Sequence, residues 1–73
     1  MRKAEYYKRA YPAGTRIRLI YMDDPYTPLS RGATGTVEYV DDIGTIHMKW
    51  DNGRSLGICP ETDIFEIIGK EAK

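Results

Sequence analysis

The stretch Thr45-Ile46-His47-Met48-Lys49-Trp50-Asp51-Asn52-Gly53 decides the fold class. Its first six residues alternate, with Ile46, Met48 and Trp50 on one face and polar side chains on the other, which is the period of a half-buried β-strand. An Asn-Gly pair follows, and Asn-Gly between two alternating runs predicts a β-hairpin with a type I′ turn. The stretch therefore predicts a strand, a tight turn and a returning strand over residues 54–58.

The same period of two recurs on both sides of this hairpin. Residues 15–21 place Ile17, Leu19 and Tyr21 on one face and both arginines on the other. In residues 35–40 the side chains of Val37 and Tyr39 share a face. Residues 64–68 form a last apolar run, after a segment that suits one helical turn. The side chains expected in the core are Ile17, Leu19, Val37, Ile46, Met48, Trp50, Leu56, Phe65 and Ile67.

The N-terminal segment follows a different period. Residues 1–11 contain good helix formers, with Ala4, Tyr7 and Tyr11 on one face at helical spacing. Pro12 ends this pattern. A helix of this length is marginal in water by itself, so it forms only if that face packs against the rest of the chain.

Together these elements predict an all-β fold with a short N-terminal helix or arm. Five short strands leave two bare edges in an open sheet, and closing the sheet into a barrel removes both edges. The order of the loops favours a five-stranded SH3-like barrel. The 73 residues suffice for one domain. We expect a basic helical or flexible N-terminal arm (1–11), the barrel (12–68) and a disordered tail (69–73).

Composition and charge limit the classes of function. The formal net charge is zero, which argues against a general polyanion binder, although the first quarter of the chain is basic and the remainder acidic. The single cysteine, Cys59, excludes an internal disulfide, and with the single histidine, His47, it supplies too few ligands for a usual zinc site. No apolar run has the length of a signal sequence or a membrane span. We therefore expect a soluble, cytoplasmic protein with no metal and no cofactor.

Several ordered motifs resemble a known family. In chain order they are Tyr11-Pro12-Ala13-Gly14-Thr15-Arg16-Ile17-Arg18-Leu19, Met22-Asp23-Asp24-Pro25-Tyr26, Gly32-Ala33-Thr34-Gly35-Thr36-Val37, Asp41-Asp42-Ile43-Gly44-Thr45-Ile46-His47 and Trp50-Asp51-Asn52-Gly53. This set is similar to DUF4314, a bacterial and phage family of unknown function. The resemblance implies a small β-rich domain without an assigned activity, found partly in phage-related and mobile-element settings. It implies no catalytic or ligand-binding residues.

The first candidate function is binding to another protein. The long loop after the first strand carries Tyr26 beside Asp23 and Asp24, and aromatic side chains often anchor protein–protein contacts. We therefore expect a small non-enzymatic binding or adaptor module that acts through protein–protein contacts, as a monomer or weak homo-oligomer, and not at a membrane.

The alternative partner is nucleic acid. Basic and aromatic residues are interleaved in the N-terminal arm, a composition that follows a phosphate backbone while rings stack on bases. Two arginines on one face of the first strand would extend this patch, whereas the acidic remainder of the chain would repel phosphate. The candidate nucleic-acid-binding residues are Lys3, Lys8, Arg9, Arg16 and Arg18.

Catalytic chemistry is not expected. By strand parity His47 faces solvent beside Thr45 and Lys49, as an ordinary exposed strand histidine would. Cys59 lacks a basic neighbour that would favour the thiolate. The pairs Asp23-Asp24 and Asp41-Asp42 lack the spacing of a calcium-binding EF-hand loop, and each is expected to accept backbone N–H bonds within its own turn.

Overall fold

The fold is mostly β with a short N-terminal helix, seen in a computed structural model that describes residues 3–22 and 29–71. The described elements are α1 (Lys3–Ala10), β1 (Thr15–Tyr21), β2 (Thr34–Val40), β3 (Ile46–Trp50) and β4 (Ile64–Lys70). The strands form one antiparallel sheet in the order β3-β2-β1-β4. This sheet is open, with β3 and β4 at its two edges.

The predicted five-stranded barrel is wrong, because the expected strand at residues 54–58 forms only at its ends. The Trp50 amide donates to the Arg54 carbonyl, and Ile46 and Ile58 exchange two backbone bonds of 2.9 and 2.8 Å. Between these ends the Leu56 carbonyl accepts a 2.7 Å bond from the indole Nε1 of Trp50. A carbonyl that accepts a hydrogen bond from a side chain is not part of a strand ladder. Residues 54–58 therefore cover the edge of β3 without forming a strand.

The predicted hairpin turn is present, but its type differs from the prediction. The Gly53 amide donates to the Trp50 carbonyl at 2.9 Å, and Gly53 has a φ of 91°. No non-glycine residue in the described part of the chain has a positive φ, so Asn52 does not adopt the conformation that a type I′ turn requires. The turn is instead a three-residue loop that ends on a left-handed glycine, and the loop from Asp41 to Thr45 is built in the same way around Gly44.

The core lies on one face of the sheet, which we call the inner face. Six of the nine predicted core residues are fully buried: Ile17, Leu19, Val37, Ile46, Met48 and Trp50. Leu56 and Phe65 are partly buried against them. The prediction was wrong for Ile67, which is 52% exposed because it lies on the edge strand. Three buried apolar residues were not predicted, namely Leu29, Val40 and Ile58.

An irregularity in β2 explains why Val40 replaces Tyr39 in the core. The register between β2 and β3 shifts between Val37 and Tyr39, since Val37 pairs with Met48 and Tyr39 pairs with His47. One extra residue in a strand reverses the parity of every residue beyond it. Tyr39 therefore points outward and is 55% exposed.

Helix α1 packs against the sheet through the face predicted for it. Tyr7 and Tyr11 are partly buried against the core, and the Tyr7 ring lies so close to Gly44 that an added Cβ there would be 3.3 Å from its Cδ2. The Tyr11 ring in turn contacts Phe65 of β4 at a centroid distance of 5.3 Å. This packing explains why so short a helix is stable.

Strand β4 continues beyond the end predicted for it at residue 68. It extends to Lys70, and the next amide, that of Glu71, donates a 2.7 Å bond to the Gly14 carbonyl. The outer end of β4 is thereby fixed to the beginning of β1.

Candidate functional site

The first predicted binding surface is on the loop between β1 and β2. Tyr26, Asp23 and Asp24 lie outside the described residues. The described residues on either side of them show where this loop leaves and rejoins the fold: Met22 follows β1, and Leu29 is buried in the core.

Two candidate nucleic-acid-binding residues on α1 are paired with carboxylates. Lys3 donates a hydrogen bond to Glu61, and the Lys8 Nζ lies 2.6 Å from Asp42 Oδ1. The ion pair with Glu61 raises the pKa of Lys3 above its usual value. Arg9 lies exposed on the last turn of the helix. The basic arm thus docks on the acidic remainder of the chain.

Arg16 is held by the turn that follows β3. Its Nη1 and Nη2 donate to the two carboxylate oxygens of Asp51 at 2.8 and 2.7 Å, and Nη1 also contacts the Thr36 hydroxyl at 3.0 Å. The Thr34 hydroxyl donates a further 2.6 Å bond to Asp51. The Arg16 guanidinium and this hydroxyl hold the pKa of the Asp51 carboxyl far below its usual range. The arrangement connects β1, β2 and the turn after β3.

The surface around Arg16 carries both signs of charge. Arg16 lines an open depression of about 690 Å³, together with Lys49, Glu38 and Glu71. Two residues further along β1, the Arg18 Nε donates a 2.7 Å hydrogen bond to the Glu66 carboxylate of β4. Four of the five candidate nucleic-acid-binding residues therefore sit in ion pairs, and phosphate would have to compete with a carboxylate for each of them.

His47 is more constrained than its strand parity predicts. Its Nε2 lies 2.8 Å from Asp41 Oδ2, and its ring stacks on Tyr39 with a centroid distance of 4.3 Å and an interplanar angle of 7°. The other oxygen of Asp41 accepts the Ile43 and Thr45 amides at 3.1 and 2.9 Å. Asp41 thus accepts bonds within its own turn, as predicted, and in addition orients the imidazole. The bond from His47, with these amides, lowers the pKa of Asp41.

Cys59 is an exposed thiol whose backbone serves a local turn. Its amide donates to Asp63 at 2.8 Å, and its carbonyl accepts from the Thr62 and Asp63 amides. Over residues 3–22 and 29–71, no three side chains among His, Cys, Asp and Glu are grouped to hold a metal ion. In the same part of the chain, no helix has the length and apolar character needed to cross a membrane.

Sequence reasoning missed a surface formed by β4 and the end of β1. Five of the eight exposed large hydrophobic residues that the structure records lie there. We call these five the edge patch: Ile20, Tyr21, Ile64, Ile67 and Ile68. The signal in the sequence was that residues 64–68 are apolar without strict alternation. A run of this kind is apolar on both faces, which suits a covered strand and is unusual for a bare edge.

The register of β4 places this patch at the open margin of the core. Ile67 pairs with the fully buried Ile17, and Phe65 pairs with the buried Leu19. Directly opposed residues of an antiparallel pair point to the same face, so Phe65 and Ile67 belong to the inner face but have a neighbouring strand on one side only. A further strand alongside β4 would bury the exposed half of Ile67 and continue the core.

The two edges of the sheet differ. The edge of β3 is covered by residues 54–58, through the bonds at Arg54 and Ile58. Within the described part of the chain, no strand pairs with the outer edge of β4, and the bond from the Glu71 amide to the Gly14 carbonyl lies on the side that faces β1. One edge is therefore protected and the other presents backbone donors and acceptors next to exposed isoleucines.

A family model described as "Domain of unknown function (DUF4314)" matches residues 2–68. The chain belongs to the DUF4314 family. Comparison with the curated proteins and with the solved structures finds no match. The edge patch of this DUF4314 chain lies within the matched residues, so it belongs to the family domain and not to an appended tail.

Proposed function

We propose that this DUF4314 chain is a small non-enzymatic protein-docking module that binds an extended polypeptide strand along the open edge of β4. The observation that carries the proposal is the exposure of Ile64, Ile67 and Ile68 on the only described sheet edge that lacks a covering segment. Strand addition to an exposed edge is a common mode of peptide recognition, in which main-chain hydrogen bonds give affinity and alternate side chains give specificity.

The register of β4 defines the chemistry of the strand that it would accept. Phe65 and Ile67 require apolar side chains opposite them on the inner face. Glu66 lies on the outer face, where Arg18 already neutralises it. The expected ligand is therefore an extended segment with apolar residues at alternate positions, and it needs no excess of either charge.

Nucleic acid remains the less favoured partner, because four of its five candidate cations are held in ion pairs with carboxylates of the same chain. We propose that the module acts in the bacterial cytoplasm, as an adaptor or accessory protein of bacteria or of their phages. The bacterial and phage setting is what the resemblance to DUF4314 implies, and an exposed lone thiol such as that of Cys59 is compatible with a reducing compartment.

The proposal is tested by selecting peptides from a random library displayed on phage, with the full chain as bait. Selected peptides should lose binding to Ile67→Lys and keep it to Ile43→Lys, a matched control because Ile43 is 86% exposed in the turn between β2 and β3. Amide NMR shifts on adding a selected peptide should concentrate in residues 64–70. Docking at β4 would be contradicted if the selected peptides bound both variants equally. It would also be contradicted if no selected peptide bound the unmodified chain more tightly than Ile67→Lys.

A further inference from the structure

We infer that the strand accepted by the edge patch is β4 of a second copy of this chain, paired antiparallel about a two-fold axis at Glu66. This inference rests on the proposed function, since it names the partner of the same edge. An isologous contact of this kind requires that one surface be complementary to itself. The sequence and the charges of β4 both meet that requirement.

The apolar pattern of β4 is the same in both directions. Residues 64–68 read Ile-Phe-Glu-Ile-Ile, with two apolar residues on each side of the acid. In the register centred on Glu66, Phe65 of each copy opposes Ile67 of the other, and Ile64 opposes Ile68. Every exposed isoleucine of β4 thereby gains an apolar partner, and opposed apolar side chains are the unit that stabilises paired strands.

The charge at the axis is balanced within each copy. Two Glu66 carboxylates would meet there, and like charges directly opposed are destabilising. Each carboxylate, however, already accepts a 2.7 Å bond from the Arg18 Nε on the adjacent strand of its own sheet. The axis therefore carries two carboxylates and two guanidinium groups with no net charge.

Self-pairing would also remove the exposed edge of the sheet. The two sheets would join into one in the order β3-β2-β1-β4-β4-β1-β2-β3, and its outer edges would be the two β3 strands, each covered by residues 54–58 of its own chain. Natural proteins protect or pair long apolar edges, because an open edge is a template for aggregation. A chain this small also gains stability from the additional buried surface.

Sedimentation equilibrium of the full chain over a range of concentrations tests the association. The mass should rise with concentration from 8.4 kDa to that of two chains. Ile67→Lys should remain monomeric, whereas Ile43→Lys should associate as the unmodified chain does. Circular dichroism of both variants checks that they are folded. A mass of one chain at every concentration, or association that Ile67→Lys leaves unchanged, would overturn the inference.

Disulfide trapping tests the register independently of these variants. In a Cys59→Ser background, Glu66→Cys places two thiols opposite each other at the axis, where opposed Cβ atoms are about 4.5–5.5 Å apart, close to the range for a disulfide. Lys70→Cys places them about 27 Å apart along the strands. Mild oxidation should therefore cross-link Glu66→Cys and not Lys70→Cys, and the reverse would overturn the pairing. A monomeric chain whose selected peptides still depend on Ile67 would end the self-pairing inference and leave the proposed function standing.

Discussion

The indole ring of Trp50 lies directly over the backbone of Gly35, its partner on the neighbouring strand. The two residues are opposed in the register between β2 and β3, and both are buried. A Cβ built on Gly35 would lie 2.9 Å from Trp50 Cε3 and 3.0 Å from the Lys49 carbonyl oxygen. The absence of a side chain at position 35 thus provides the space that the largest core residue occupies.

Gly35→Ala should destabilise the fold by about 1–3 kcal/mol, the usual cost of overpacking a core. Part of the close contact is with backbone atoms of Lys49 and Trp50, which a change of rotamer does not relieve. Thermal or urea unfolding measures the loss. In a Trp50→Leu background the same substitution should cost less, because the ring is gone; equal costs in both backgrounds would show that the indole is not the obstacle.

Trp50→Ala should cost about 3–5 kcal/mol, enough to unfold a domain of this size. The side chain is 2% exposed, and its Nε1 bonds the Leu56 carbonyl. His47 lies on the opposite face of the same strand, β3. His47→Ala should cost about 1 kcal/mol, because the ring loses its stacking on Tyr39 and its bond to Asp41. Unfolding curves that rank the two variants in the opposite order would contradict the parity of β3.

The turn after β3 should depend on Gly53 and not on Asn52. Gly53 has a φ of 91°, so Gly53→Ala should cost about 1–2 kcal/mol, the penalty of a left-handed conformation for a residue with a Cβ. Asn52→Gly should not stabilise the turn, because Asn52 has no positive φ to relieve. A clear rise in melting temperature for Asn52→Gly would instead indicate the type I′ turn that the sequence suggested.

Stability should fall in acid through two carboxyl groups. The pKa of Asp51 is lowered by Arg16 and Thr34, and that of Asp41 by His47 and two amides. A carboxyl group with a lower pKa in the folded state stabilises the fold above its unfolded pKa of about 3.9, and this contribution is lost as pH falls through the folded value. The melting temperature should therefore drop as pH falls from about 4 towards 2.

Asp51→Asn should lower the melting temperature at neutral pH and flatten its dependence below pH 4. Arg16→Gln should have the same two effects, since it removes the main cause of the shifted Asp51 pKa. Melting curves that keep the full acid dependence in both variants would show that this pair is not responsible.

Duplex DNA should bind weakly, because four of the five candidate cations already contact carboxylates. Fluorescence anisotropy with labelled DNA at two salt concentrations measures the affinity and its salt slope. The double variant Lys8→Gln/Arg9→Gln is the appropriate control, since deletion of α1 would expose the core beneath Tyr7. Tight, salt-sensitive binding that this variant abolishes would support nucleic acid over protein docking.

The sequence predicted the parts of the fold that depend on local alternation. β3 has the predicted inward residues, and β1 has them up to Leu19, since each keeps a period of two up to its last buried residue. Tyr21 was expected on the same face as Ile17 and Leu19 but is 48% exposed, because the register with β4 shifts after Leu19. The irregularity beyond Val37 could not be read from residues 35–40, because either parity offers an apolar residue to the core. The barrel was wrongly predicted for a similar reason, because residues 54–58 have the composition of a strand. In the structure the Leu56 carbonyl of this segment instead accepts a hydrogen bond from the indole of Trp50, and local composition does not predict that bond.

The candidate site was less predictable than the fold. Ile67 was expected inside, because a sequence pattern gives the face of a residue but not the position of its strand within the sheet. That Arg16 and Arg18 would be neutralised by Asp51 and Glu66 required knowledge of long-range register. The exposure of an edge strand and the pairing of distant charges both depend on how the strands are arranged in the sheet. The alternation of apolar and polar residues within one strand carries no information on either.

The pairing of β4 with β1 has a consequence for the order of folding. β2 and β3 are joined by a short turn and form a local hairpin, whereas Leu19 meets Phe65 only after the intervening chain has been brought together. Closing so long a loop costs entropy before any contact repays it, so such pairings tend to form late. The edge of β4 would then exist only on a molecule whose other three strands are already in place, and partly folded chains would be unable to use it.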